Sequence, residues 1–310
     1  MKYYISIDLG GTVIKVGLVH EGRVLASSRI DAQSRDGLSS RLPLISDAID
    51  SLILTSGLSK DGLGGIAVAF PGIVDIERKR AASTNAKYDD APDLDLEKWV
   101  KDRYGVPFVM DNDARMAMVG EWKYGAGRDA SDMVMMTIGT GIGTGVVVDS
   151  RPLYGRNWCA GSLGGHMIVD YKGRKCTCGN VGCVEAHASS FFLPYIISEN
   201  KEISEAFRND EKNRDFKTLF DKFRQGDHEA EVVLNECMDV WAAATVNYIH
   251  AYDPQIVVIG GGIMKSADII LPYLREKVAS LAWSPFGRVK IVASELGDDA
   301  ALLASSYYFA

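Results

Sequence analysis

Residues 3–26 read YYISIDLGGTVIKVGLVHEGRVLA, and residues 133–153 read MVMMTIGTGIGTGVVVDSRPL. The first stretch opens as a β-rich run, Tyr3 to Ile7, and breaks at Asp8-Leu9-Gly10-Gly11-Thr12. It returns through Ile14 to Val19, turns at His20-Glu21-Gly22 and starts a third strand at Arg23. The second stretch repeats that order: strand Met133 to Ile138, glycine-rich turn Gly139 to Gly145, return Val146 to Val148, polar turn Asp149 to Arg151. The two copies lie about 130 residues apart, too long a period for a solenoid. An internal duplication of this kind predicts two related α/β domains with a ligand in the cleft between them. The expected boundaries are 1–115 plus 296–310 for a smaller N-terminal domain, and 116–295 for a larger one.

Between and after the copies, apolar spacing predicts further elements. Helices are expected over about Leu38–Leu54, Leu96–Tyr104, Glu185–Ser198, Ile203–Phe223, His228–His250, Ala267–Leu281 and Asp298–Tyr308. Strands are expected at Gly65–Phe70, Pro107–Met110 (ending at Asp111-Asn112-Asp113), Ile256–Ile259 and Val289–Ala293. The 310 residues are 47% hydrophobic and 24% charged, as in a soluble globular chain long enough for two modest domains. A net charge of −7 argues against a nucleic-acid surface. Met1-Lys2 runs directly into the first strand with no secretory leader, and no apolar run reaches membrane-span length. A cytoplasmic protein with no membrane or nucleic-acid partner is expected.

Three turns place glycines directly after an apolar strand: Gly10-Gly11, Gly139 to Gly145 and Gly260-Gly261-Gly262. Glycine lets backbone N–H groups approach and point at an anion, and a threonine hydroxyl adds a donor. A lone case is usually only a tight turn, but three together point to a nucleotide phosphate site. No Gly-Lys-Ser/Thr follows the glycines, so the Walker A pattern fails. A hairpin, not a helix, follows Gly11 and Gly145, so the dinucleotide fingerprint fails too.

The segment GSLGGHMIVDYKGRKCTCGNVGCVE, residues 161–185, gathers His166 and three of the five cysteines, Cys176, Cys178 and Cys183. Three thiolates and an imidazole suit a closed tetrahedral zinc site and favour zinc over magnesium or calcium. A disulfide, a redox pair or merely neighbouring buried cysteines are the other readings. Five cysteines without a secretory leader do not make a disulfide scaffold.

Several of these motifs together resemble the ROK family, which contains bacterial sugar kinases and sugar-responsive repressors. They are Asp8-Leu9-Gly10-Gly11-Thr12 with Lys15, Pro71-Gly72 with Asp75, Asn112-Asp113-Ala114, and Gly139-Thr140-Gly141-Ile142-Gly143. The cysteine segment with His166 looks like the family's zinc signature, and Gly260-Gly261-Gly262 and Gly297-Asp298-Asp299-Ala300 match its late motifs. The resemblance runs from Ile5 to about Ala304. It implies an actin-like ATPase (ribonuclease H-like) fold, with ATP, Mg²⁺ and a structural Zn²⁺. It implies Asp113 as catalytic base, a carboxylate taking the proton of an attacking hydroxyl. Asn85, Asn112, His166 and Glu185 would contact the sugar, and zinc would keep His166 and Glu185 oriented. Gly10, Gly11, Thr12, Lys15, Thr140 and Gly141 would surround the phosphates, Asp8 would lie near Mg²⁺, and Gly261 and Gly262 along the adenosine. A homo-oligomer, dimer or tetramer, is expected.

Three departures fall on the sugar side. Gly161-Ser162-Leu163-Gly164-Gly165-His166 carries serine and an extra glycine where the family's sugar-binding glutamate is expected. Arg115 follows Asn-Asp-Ala in place of asparagine, and Lys87-Tyr88 stands where a tryptophan is usual. Gly164-Gly165 would leave room beside His166 for a bulkier, for example N-acetylated, sugar. If glucose recognition is nonetheless tight, Arg115 or Tyr88 is expected in the glutamate's role. The expected function is ATP-dependent transfer of the γ-phosphoryl group to a hexose hydroxyl. The alternatives are a sugar-responsive regulator and a non-catalytic sugar-binding protein. The first is disfavoured by a chain whose Asp-Leu-Gly-Gly-Thr strand begins at Tyr3, the second by the presence of Asp113.

Overall fold

The computed structural model describes every residue except Asn85. The chain forms two compact units, Met1–Asp129 with Pro152–Ser162 and Asp298–Ala310, and Ala130–Arg151 with Leu163–Gly297.

In the first unit, β1 (Tyr3–Leu9), β2 (Val13–His20), β3 (Arg23–Asp31), β4 (Leu63–Phe70) and β7 (Phe108–Asn112) form one sheet in the order β3-β2-β1-β4-β7. A separate hairpin pairs β5 (Ile73–Asp75) with β6 (Arg80–Ser83). β1 runs antiparallel to β2 and parallel to β4, which is parallel to β7. As the central strand, β1 is buried on both faces along nearly all its length, with Ser6 buried as fully as the apolar residues around it. Helix α1 (Leu42–Thr55) lays Ile45, Ile49, Leu52 and Ile53 against this core. It starts four residues later than the spacing suggests, because Asp90 accepts the Leu38 and Ser39 N–H groups and Pro43 fits only the first turn. Helix α2 (Leu96–Tyr104) lies where expected, between an Asp95 cap and left-handed Gly105.

The sequence reading missed α3 (Asp113–Tyr124) altogether. Asn112 ends β7 and caps α3, its side chain accepting from the Arg115 N–H. Residues 114–116 and 118–122 are buried, so the helix shows no polar–apolar period to read.

In the second unit, β8 (Met133–Ile138), β9 (Ile142–Val148), β10 (Arg151–Pro152), β11 (Ile256–Gly260) and β12 (Lys290–Ala293) form a sheet in the order β10-β9-β8-β11-β12. Strand for strand this repeats the first sheet, with β8 antiparallel to β9 and parallel to β11. The expected helices over 185–198 and 203–223 are each broken. The pieces are α4 (Val184–Ala188), α5 (Leu193–Glu199), α6 (Glu205–Asn209) and α7 (Phe216–Arg224). Ser204 and Asp215 cap the later two with side-chain bonds that start a new helix. Helix α8 (His228–Tyr252) buries Trp241, whose indole N–H donates to the Ala188 carbonyl, and packs on α9 (Ala267–Leu281). Among the described residues no helix is long and apolar enough to cross a membrane.

The chain returns to the first unit as α10 (Ala300–Leu303) and α11 (Ser305–Tyr308), where one helix was expected. Gly120 of α3 lets α10 approach, since a Cβ there would sit 1.9 Å from the Ala300 carbonyl oxygen. The expected boundary at residue 115 would therefore cut a helix. All of α3, and residues 152–162 as well, belong with the first unit.

What gathers these separated pieces is Asp111, a fully buried carboxylate at the end of β7. Its Oδ1 accepts from the Asn112 N–H and from Arg115 Nη1, both at 2.7 Å. Its Oδ2 accepts from the Tyr154 hydroxyl at 3.1 Å and the Tyr308 hydroxyl at 2.6 Å. Arg115 Nη2 donates in turn to the carbonyls of Trp158 and Ala160. Breaking such a pair leaves an uncompensated buried charge. Arg115→Met is therefore expected to lose about 3–5 kcal/mol in urea unfolding. A loss below about 1 kcal/mol, the size of a surface ion pair, would show that the pair does not hold these segments.

Candidate functional site

In the first unit, the turn between β1 and β2 has its carbonyls satisfied from within the protein. The Gly10 carbonyl accepts the Tyr88 hydroxyl at 2.7 Å, and the Gly11 carbonyl accepts the Ser34 hydroxyl at 2.8 Å. The N–H groups of Gly11 and Thr12 have no acceptor among the described residues. Gly10 must be glycine, because a Cβ would meet the Val13 carbonyl oxygen at 2.5 Å. A turn of this kind offers donors to an anion. Lys15 donates to the Asp298 carbonyl at 2.9 Å and pairs with its carboxylate at 3.3 Å, so that ammonium is already partnered.

Asp113, the first residue of α3, sits close enough to Asp8 to raise its pKa. Burial, then the Asp113 charge, push the Asp8 carboxyl up to about 7, against the pull of Lys15. Asp113 is also raised, by burial first; the Ala114 N–H, Lys87 and Asn112 oppose the rise. Its Oδ1 accepts from the Ala114 N–H and from Asn112 Nδ2, while Oδ2 has no hydrogen bond among the described residues. The free oxygen is where a base would take a proton. Asn112 spends its other amide proton on the Gly72 carbonyl and one lone pair on the α3 cap. It holds Asp113 and keeps one acceptor position for a ligand. Asn85 lies outside the described residues.

The second unit repeats the turn. The Gly139 and Thr140 carbonyls accept from the Ser190 and Phe191 N–H groups, each at 3.0 Å. The N–H groups of Thr140 and Gly141 have no acceptor among the described residues. Glu185, nearly buried, accepts the Ile142 N–H on Oε2 at 2.9 Å, and its Oε1 lies 4.0 Å from Cys176 Sγ. The same carboxylate thus braces the glycine turn and backs the cysteine loop. A Cβ on Gly141 would sit 2.3 Å from Glu185 Oε2. Gly261 holds φ +95°, and a Cβ there would be 2.1 Å from the Ile138 carbonyl oxygen; Gly262 opens the turn leading to α9.

The structure brings His166, Cys176, Cys178 and Cys183 together, with their ligand atoms all within 4.8 Å of one another. Cys178 Sγ lies 3.7 Å from Cys183 Sγ, and His166 Nδ1 lies 3.7 Å from Cys176 Sγ. A tetrahedron with Zn–S of about 2.3 Å has edges of about 3.8 Å, so the set has the size of a zinc site. Burial pushes the Cys176 and Cys183 thiols up, a cost that a bound cation reverses.

Residues 4–309 match the family model described as the ROK family. The chain belongs to the ROK family. A glucokinase of Thermotoga maritima is 34% identical over 97% of this ROK chain and 95% of its own length. The xylose repressor of Bacillus subtilis is 27% identical over 98% of the chain and 76% of its own length. A crystal structure of a ROK family glucokinase from Streptomyces griseus with glucose and AMPPNP has a TM-score of 0.80. It is 26% identical and covers 99% of this chain and 98% of that one. The fold is the actin-like ATPase fold.

Two expectations about this ROK chain's sugar side are corrected. Arg115 and Tyr88 are 1% and 0% exposed, the Arg115 Nη groups engaged by Asp111 and loop carbonyls and the Tyr88 hydroxyl by Gly10, so neither substitutes for a sugar-binding glutamate. Gly164 and Gly165 open no room. A Cβ on Gly165 would meet the Ile142 carbonyl oxygen at 1.8 Å, and one on Gly164 would meet Thr144 at 2.6 Å. The glycines exist so that the loop can approach β9. Ser162 donates to the Cys159 carbonyl within its own turn. Sequence reasoning missed Ser34 and Lys87; nothing marked Ser34, and Lys87 was marked only by standing near a missing tryptophan.

The raised Asp8 carboxyl makes stability depend on pH in a definite direction. It ionises near 3.8 unfolded and at about 7 folded, so the unfolded chain holds fewer protons between those values. Stability from this group is present below the lower value and lost as pH rises through the window. In metal-free buffer, Asp8→Asn should therefore gain stability over the parent between pH 4 and pH 8. The gain grows by at most about 1.4 kcal/mol for each pH unit crossed inside the window. Urea unfolding of both proteins across that range checks it, and a difference that stays flat with pH would show that Asp8 is not perturbed.

Proposed function

We propose that this chain is an ATP-dependent hexose kinase, with Asp113 as general base. The observation that carries this reading is the Asp113 carboxylate. Asn112 and the Ala114 N–H hold one oxygen, the other is free, and a donor turn with outward N–H groups lies in the same unit. Asp113 accepts the proton of the sugar hydroxyl as that oxygen forms its bond to the γ-phosphorus, and the bond to ADP breaks. Gly10, Gly11, Thr12, Thr140 and Gly141 bind phosphates through backbone N–H groups, Lys15 beside Asp298 adds charge, and Gly261 and Gly262 line the adenosine. Asn112, His166, Glu185 and Asn85 contact the sugar. Asp8 is the carboxylate for Mg²⁺, which would supply charge neutralisation on the phosphates. The glucokinase relatives support glucose as the first acceptor to test. Exposed Trp283 and Phe286 are surface a partner copy would cover in a dimer or tetramer. The xylose-repressor relatives make a sugar-responsive regulator the second reading.

An ATP-coupled assay over a hexose panel that includes N-acetylated sugars separates the readings, since a regulator binds sugar without turnover. Asp113→Asn should fold and bind ATP but lose about 10²-fold or more in kcat. Near-parental turnover would move the base elsewhere, with Asp8 next in line.

His166, Cys176, Cys178 and Cys183 are assigned to one structural Zn²⁺ that fixes the loop carrying Glu185. Freshly purified protein should contain about one zinc per chain. Cys178→Ser should lose both zinc and sugar affinity. Metal analysis that finds no zinc in the parent removes the site.

A further inference from the structure

The lysine that the family motif supplies beside the donor turn, Lys15, is already partnered within the protein. Lys15 donates to the Asp298 carbonyl and pairs with its carboxylate, which Arg29 also bonds at 3.2 Å. Lys87 is placed differently. Its aliphatic stem lies over Gly11, where a Cβ would be 3.0 Å from Lys87 Cε and 3.5 Å from Nζ. Its charge also reaches Asp113, pulling that carboxyl down against its burial. Among the described residues Lys87 makes no hydrogen bond or ion pair of its own.

The chain holds this lysine in place at some cost. Ala86 and Tyr88 on either side have φ of +53° and +54°, left-handed values uncommon for residues with a side chain. Tyr88 N–H donates to the Ser34 carbonyl at 2.7 Å, and its hydroxyl donates to the Gly10 carbonyl at 2.7 Å. Tyr88 thus grips the turn from inside while Lys87 covers it from outside. Strain of this kind persists where the surroundings over-determine it, and it clusters at functional sites.

We propose that Lys87 is a phosphoryl-binding cation of the kinase reaction, its ammonium contacting the γ-phosphoryl group of ATP above the Gly10–Gly11–Thr12 turn. This rests on the kinase reading and extends it to a residue outside the motifs. The sugar oxygen forms its bond to phosphorus, the bond to the ADP oxygen breaks, Asp113 takes the hydroxyl proton, and Lys87 compensates charge on the phosphoryl oxygens.

Lys87→Met retains the stem over Gly11 and removes the charge, so it separates this role from packing. The variant should lose about 10²-fold in kcat with sugar KM unchanged, the size of one lost transition-state donor. Lys87→Arg should restore most of it. By calorimetry, the variant should bind a non-hydrolysable ATP analogue about tenfold more weakly than the parent but bind ADP equally well. Near-parental kcat, or equal weakening of both nucleotides, overturns the proposal. If Lys87→Met does not fold, Lys87→Gln takes its place in the same measurements. A parent chain that phosphorylates no hexose removes the kinase reading. The binding comparison then decides Lys87 alone: a selective loss for the ATP analogue supports a γ-phosphate contact, and no selective loss overturns it.

Discussion

The first unit depends on one buried carboxylate. Asp111 accepts from Asn112, Arg115, Tyr154 and Tyr308, residues drawn from β7, α3, the 152–162 segment and α11. A charge fully removed from water is costly unless every lone pair finds a donor, and here the donors come from three separate stretches of chain. Satisfying Asp111 therefore assembles the unit. Two of its donors, Asn112 and Arg115, flank Asp113 at the start of α3.

The duplicated turns work by the same backbone device in each unit. Carbonyl groups are satisfied from the protein side, by Tyr88 and Ser34 in one copy and by the Ser190 and Phe191 N–H groups in the other. With the acceptors occupied, the N–H groups are left to bind an anion. Glycine permits the geometry, but the partners that occupy the carbonyls differ in kind, two hydroxyls against two backbone amides. The duplication preserved the backbone path and filled in its supports independently.

In the second unit, Glu185 joins two functions through its two oxygens. Oε2 fixes the Ile142 N–H at the end of the glycine turn, and Oε1 approaches Cys176 within the His-Cys cluster. A shift of the cysteine loop would be felt at Gly141, where Glu185 leaves no space for a Cβ. The loop's two glycines before His166 serve the same tight packing against β9.

The sequence alone determined the duplicated strand-turn-strand plan, the strands β1, β8 and β11, and helices α2, α8 and α9, because long buried strands and strongly amphipathic or well-capped helices carry their own signal. It also determined the cluster of His166, Cys176, Cys178 and Cys183, which are close along the chain. Tertiary structure decided what depends on distant partners. Helix α3 is buried nearly all round and shows no period, so only its Asn112 cap and its packing on α10 define it. Arg115 read as a free polar residue near the sugar motif until Asp111 and two loop carbonyls were found around it. Gly164-Gly165 read as spare room until Ile142 and Thr144 were found filling that room. Asp111 and the Asn112 cap lie within four residues of Arg115, but the Trp158 and Ala160 carbonyls, the packing of α3 on α10 and the contacts of Gly164 and Gly165 with β9 each span twenty residues or more, and local pattern holds no record of what lies opposite a side chain.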